Sequence, residues 1–287
     1  SWNIVGEDSG ISAHPDNKDQ YIIDMSGWVI DGKLRFNIAS KVDKNTTNKI
    51  ARVFKENLEN IISYTIGKNR NYLTASDINY VINQEYLDQI QEAREVEGVY
   101  LANSLQQGFI YHALNQGDVD SAYRVQCLWQ YKNPMNIHHL KDAWVSAQKR
   151  FSSLRIRFAW EAELIQIIDK EGPLEWRYVD LSEELDVERQ TTKIKEIQQE
   201  DREKVYDLDK GNLFRIYMIK QREDLYTCLF SNHHAILDGW SNMLLLKYVH
   251  ETYLRLNEGR EVHSLTDYSY GQAQKYLQEH QDDNKEY

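Results

Sequence analysis

At 287 residues and 41% hydrophobic content, the chain carries enough apolar material for one large or two ordinary domains, which excludes general disorder. Its 34 Lys and Arg face 45 Asp and Glu, a formal charge of -11. That balance repels nucleic-acid phosphates and anionic membrane surfaces, and no basic cluster offsets it.

Residues 21–39 read as a β-hairpin. Asp31-Gly32 supplies residues that tolerate positive φ, and Leu34, Phe36 and Ile38 alternate after the turn. Ile50, Val53, Phe54, Leu58, Ile61 and Ile62 then recur at three- and four-residue steps, which predicts an amphipathic helix closed by Gly67. From 68 to 98 the chain turns polar, with scattered anchors at Leu73, Ile78, Val81, Leu87 and Ile90. This stretch is expected to be an ordered linker with short helices, the first capped by Ser76 or Asp77.

The composition changes again at Val99. Beyond it the pattern predicts a helix (104–114), a strand (123–131), a helix (137–151) and a strand pair within 154–169. A charged helix (187–205), strands at 213–220 and 225–231, a strong helix from 241 to about 257 ended by Gly259, and a polar helix (268–280) follow. Strands alternating with helices argue for a mixed α/β layered domain.

Cys127 and Cys228 lie far apart in apolar runs, so neither a disulfide framework nor a CxxC metal site is implied. A reducing cytosol fits. The apolar runs are too short to span a bilayer, the opening SWNIVGEDSG lacks signal-peptide character, and the expectation is a cytoplasmic chain. There is no low-complexity segment or internal repeat.

The densest chemistry is SNHHAILDGWS, residues 231–241, placed where a strand ends and a loop leads into a helix. Histidine exchanges a proton near neutral pH, Asp238 can hold a loop through an arginine, and Gly239 lets backbone and substrate approach closely. Adjacent histidines on a strand point to opposite faces and no further ligand is suitably spaced, which argues against a metal. A second pair, His138-His139, starts a polar helix without a following Asp-Gly and reads as ordinary surface.

HHAILDGWS resembles the HHxxxDG motif of condensation domains in nonribosomal peptide synthetases, shared with the chloramphenicol acetyltransferase-like superfamily. LANSLQQGFIYHAL (101–114) resembles the opening motif of that family, PLSPMQ followed by an apolar helix. RFSSLRIRF (150–158) resembles the second motif, RHExLRTxF, with Arg155 at the arginine before the Thr position. Order and spacing agree. Phe151 replaces the usual His, Ile156 the Thr, and Ala102-Asn103 the Pro-containing start.

The resemblance extends to the first ninety residues. HPDNKDQYIIDMSGWVIDGKLRFNIAS and its helix are similar to the last part of an epimerization domain, and LTASDINYVINQEYLDQI is similar to the linker before the next condensation domain. It implies residues 1–67 as an epimerization tail, 68–98 as linker and 99–287 as the first lobe of a condensation domain, with DDNKEY near the passage to a second lobe. The implied reaction joins two thioesters carried on 4'-phosphopantetheine arms into an amide, with a D-configured donor and no cofactor of the domain's own. The implied partners are upstream and downstream peptidyl carrier domains and the epimerization and adenylation domains of the same synthetase.

By the same resemblance His234 works on the attacking amine as base or positioner, and His233 supports it from inside. Asp238 braces the loop, with Arg155 one candidate partner, Gly239 shapes the tunnel wall, and Trp240 lines or supports it. Two alternatives stand beside this: an epimerization domain, disfavoured because Trp240-Ser241 follow Gly239 directly, and a catalytically silent interdomain fragment.

Overall fold

The computed structural model describes residues 21–68, 70–116, 122–262 and 265–280. The chain divides into two compact units, 1–70 and 71–287.

In the first unit β1 (Ile23–Ile30) pairs antiparallel with β2 (Lys33–Ser40). Asp31 and Gly32 take φ of 51° and 70°, the successive left-handed pair of a type I′ turn that matches the strand twist. Opposite Phe36, Gly27 is required by space, because a Cβ there meets the Phe36 ring at 2.6 Å. Helix α1 (Lys44–Ile66) starts at Asp43, whose carboxylate accepts from the Asn45 and Thr46 backbone N–H groups at 2.9 and 3.0 Å. Phe54 of α1 meets Phe36 edge-on at 4.9 Å. Gly67 does close the helix, in right-handed rather than left-handed geometry, at φ -72°.

The second unit is layered α/β. A four-stranded sheet runs β4 (Arg124–Tyr131), β9 (Leu225–His233), β8 (Phe214–Arg222), β7 (Trp176–Asp180), antiparallel except for the parallel β7–β8 edge. On one face Phe214, Ile216, Cys228 and Phe230 pack against α4 (Ile137–Arg150) and α6 (Gly239–Asn257) through Trp144, Ala147, Leu245 and Val249. On the other face Tyr217, Ile219 and Leu229 meet Ile194 of α5 (Val187–Glu203). This alternation along β8 and β9 is the period-two signature of strands covered on both sides. β7 had no sequence signal: its WRYVD is largely exposed, an edge strand with little to bury.

A second sheet has the order β3 (Val96–Leu101), β6 (Ile165–Asp169), β5 (Ile156–Ala159). Ile165 and Ile167 of β6 pack with Ile78, Ile82, Leu87 and Ile90. The polar segment expected as a linker therefore contributes a satellite core to the second unit, and its last residues belong to β3. Residues 75–80 form turns rather than a helix; Asp77 accepts from the Thr74 N–H at 2.7 Å, closing a turn behind it. The helix that does form, α2 (Gln84–Ala93), is capped by Asn83 at 2.8 Å. Helices α3 (Ser104–Gln116) and α7 (Ser269–Glu279) complete the unit. No helix among the described residues is long and apolar enough to cross a membrane.

Candidate active site

The histidine turn leaves the sheet between two neighbours. β9 lies centrally, so at its end the His233 N–H donates to Leu213 C=O at 2.9 Å while the His234 N–H donates to Tyr123 C=O at 2.8 Å. Ile236 N–H then returns to His233 C=O at 3.2 Å, closing the turn. Both imidazoles are anchored by a short path to rigid strands.

The two rings differ in environment and therefore in chemistry. His233 is buried, 6% exposed, and its Nδ1 accepts the Ala235 N–H at 3.1 Å, leaving Nε2 to carry the proton. Burial pushes its pKa down to about 4, helped by the Arg124 and His234 charges, so the ring stays neutral at neutral pH. His234 is partly buried, and its Nδ1 lies 2.9 Å from Leu237 C=O. A carbonyl only accepts, so Nδ1 holds a proton and in the neutral ring the lone pair lies on Nε2. Among the described residues nothing hydrogen-bonds Nε2.

Asp238 stands at the N-cap of α6. Its carboxylate accepts the Ser241 N–H at 2.7 Å, and that bond together with the Ser241 hydroxyl holds its pKa below the usual carboxylate range. The brace is thus a helix cap. Arg155, the expected arginine partner, lies elsewhere: its side chain, 2% exposed, pairs with Glu97 at 2.8 Å. It also donates to the carbonyls of Gln148, Asp169 and Lys170. A fourth carbonyl, that of Lys149, lies at 3.4 Å. These bonds join α4, β3 and β6, and none is to the histidine turn. Arg157 is likewise structural, bound to Asp169 at 3.0 Å.

Among the described residues, beyond its neighbours and its own helix backbone, nothing lies within 4 Å of a Cβ on Gly239, so packing among them does not demand glycine there. Trp240 is 85% exposed and continues along α6 with exposed Met243 and Leu244, one turn further on the same face. Among the described residues no group of three or more His, Cys, Asp or Glu is arranged to hold a metal ion.

Several contributors had escaped the motif reading. Phe109 of α3 stacks on His234, ring centroids 5.4 Å apart and planes at 20°. Tyr123 packs on Phe109 at 4.5 Å. Gln106, buried at 3%, forms a reciprocal cap with Asn103 at the start of α3 and donates from Nε2 to Ala235 C=O at 3.2 Å. Asn103 thus does by side-chain capping what a proline start does by fixed φ. Gln106 Nε2 also reaches Gln166 and the Tyr270 hydroxyl, and Gln166 in turn donates to Gln274. Beneath His233, a buried Arg215–Asp201 pair at 2.8 Å is tied to β9 through the Ser231 hydroxyl at 3.0 Å. The only sequence trace of these residues is that Gln106 and Phe109 fall inside the opening motif.

Residues 96–287 match the family model described as Condensation domain. The chain belongs to the condensation-domain family. A similar relative is the N-(5-amino-5-carboxypentanoyl)-L-cysteinyl-D-valine synthase of Amycolatopsis lactamdurans, 45% identical over 188 residues, 65% of this chain and 5% of that protein. The synthase of the same name from Penicillium chrysogenum is 40% identical over 198 residues, 69% of this chain and 5% of the relative. Bacitracin synthase 1 of Bacillus licheniformis is 29% identical over 266 residues, 89% of this chain and 5% of its own length. This chain spans only about one twentieth of these relatives. Among solved structures, the starter condensation domain of rhizomide synthetase aligns with a TM-score of 0.52 and 16% identity over 58% of this chain and 41% of that one. The first condensation domain of the CDA synthetase aligns at 0.51 and 20% identity over 59% and 42%. Both share the fold of this chain over part of their length.

Proposed function

We propose that this chain contributes the histidine half of an amide-forming site in a nonribosomal peptide synthetase. The observation that carries the reading is the His234 tautomer: with Nδ1–H given to Leu237 C=O at a rigid strand end, the Nε2 of the neutral ring keeps its lone pair without a partner among the described residues. In the proposed step the acceptor's amine nitrogen attacks the donor's thioester carbonyl. The C–N bond forms as Nε2 accepts the amine proton, the C–S bond then breaks, and the departing thiol takes a proton back. His233 stays neutral and shapes the turn, Asp238 starts α6, and Trp240 with Gly239 lines the substrate side.

Both substrates would arrive as thioesters on 4'-phosphopantetheine arms of peptidyl carrier domains, with epimerization and adenylation domains as neighbours in the same synthetase. We assign residues 1–67 to the end of an epimerization domain and the donor to the D series. The match to bacitracin synthase 1 supports a shared arrangement, since 89% of this chain is more than residues 71–287 alone supply. The test loads one carrier with a D-ended peptidyl donor and another with an aminoacyl acceptor and compares the synthetase with its His234→Ala variant. Loss of about 10²- to 10⁴-fold in amide yield is expected, the usual range for a positioned proton acceptor; an unchanged yield would sink the assignment. A variant that also loses inversion of the donor Cα would instead favour epimerization at this histidine.

A further inference from the structure

Five non-glycine residues among those described have positive φ, and three of them are Asp31, Asn79 and Asn212, types that tolerate the left-handed region. Tyr80 stands on an exposed turn. Tyr123, at φ 63°, stands immediately before β4 and beside the histidine turn. A bulky aromatic in this region is uncommon and persists only where surroundings over-determine it.

What surrounds Tyr123 is His234, from two directions. Its backbone carbonyl takes the His234 N–H at 2.8 Å. Its ring lies 4.5 Å from Phe109, whose opposite contact is the stacked His234 imidazole at 5.4 Å. The His112 ring meets Tyr123 edge-on at 5.0 Å, holding the tyrosine ring from α3. An extended residue here would send the chain into β4 with a different carbonyl direction, and a small residue would leave Phe109 unsupported. The left-handed backbone and the ring packing thus converge on one imidazole.

We infer that Tyr123 is a positioning residue for His234: its carbonyl fixes the backbone of the histidine, and its ring, through Phe109, fixes the plane of the imidazole. The kinetic consequence rests on amide formation at His234; the structural consequence does not.

Two measurements keep them apart. In this chain with isotope-labelled histidine, the His234 ring signals are identified by their loss in His234→Gln. Tyr123→Gly retains a residue at home in positive φ while deleting the ring, and is expected to replace the single Nδ1-protonated His234 signal by an average of tautomers. Tyr123→Phe, which keeps the ring, is expected to restore the wild-type signal. Phe109→Leu removes the intermediate ring without touching Tyr123 and is expected to disturb His234 in the same way, so it carries the test should Tyr123→Gly not fold. Unperturbed His234 signals in every folded variant of these two would overturn the inference. In the synthetase, Tyr123→Gly is expected to lower kcat for amide formation about 10- to 100-fold at unchanged KM, the cost of a misplaced reacting group, with Tyr123→Phe rescuing it. If no amide forms even with the unmodified synthetase, the functional reading fails while the ring signals still decide the positioning.

Discussion

The histidine turn and the arginine corner are both motif segments, yet they use their polar groups in opposite ways. At Arg155 the guanidinium is spent on Glu97 and four backbone carbonyls, all within the fold. At His234 one ring nitrogen is spent on Leu237 and the other has no hydrogen-bond partner among the described residues. The lesson concerns where motif residues keep capacity. A buried cation with every donor satisfied is architecture, whereas a tautomer-locked ring with a spare lone pair is equipped for chemistry.

That contrast is broken most directly by exchanging the two roles in mutants. Arg155→Ala leaves Glu97 with the Ser152 hydroxyl alone and takes a donor from four backbone carbonyls, and we expect a loss of about 3–5 kcal/mol in urea unfolding, the scale for removing the buried partner of an ion pair. His234→Ala loses one hydrogen bond at a partly exposed site and is expected to cost about 1 kcal/mol or less in the same measurement, although it removes the proposed activity. If Arg155→Ala is as stable as His234→Ala, the arginine corner does not hold α4, β3 and β6 together as described.

A second effect is the pH response of His233. In the unfolded chain His233 titrates near its ordinary 6.5, whereas in the folded chain burial lowers it to about 4. Between those values the unfolded state binds the extra proton, so stability rises with pH in that window. It is fully present above pH 6.5 and is lost as the pH falls toward 4, by about 3 kcal/mol in all. Unfolding curves from pH 7 to 4 should show this slope, and His233→Gln should flatten it. An equal slope in both proteins would mean that other groups carry the acid sensitivity.

A smaller effect tests the brace. Asp238→Ala removes the N-cap of α6 and is expected to cost about 1 kcal/mol, whereas Asp238→Asn, an equally good cap, keeps most of that stability. A requirement for the charge itself, with Asn as poor as Ala, would restore the idea of an arginine partner, which Arg155 does not supply.

Much of this was legible in the sequence, for identifiable reasons. The Asp31-Gly32 hairpin, α1 and the helices of the second unit announce themselves through local turn chemistry and apolar period. The histidine turn announces itself through a compact motif. β3 and β7 were missed because their signals are weak: β3 begins inside a polar stretch with a glycine at 98, and β7 is a half-exposed edge. The packing of the 68–98 stretch was not legible because anchors spaced singly, such as Ile78 and Leu87, look sparse until β6 supplies the surface they cover. Asp238 finds its partner only three residues on, at Ser241, as a local helix cap. The support of His234 by Phe109 and Tyr123 and the Gln106 bond to Ala235 instead join residues distant in the chain. No local pattern encodes them.

The smallest expected effect is the most discriminating for what meets the turn. Gly239 is the first residue of α6, its φ is not in the left-handed region, and a Cβ there packs against nothing among the described residues. Gly239→Ala should therefore leave stability unchanged or raise it by roughly 0.5–1 kcal/mol, the ordinary gain from replacing glycine in a helix. Measured destabilisation would place an unseen packing constraint within the chain itself. A stable Gly239→Ala protein that forms amide poorly would locate the constraint outside it, in the substrate whose reacting carbonyl must come within a methyl's width of the α6 N-terminus.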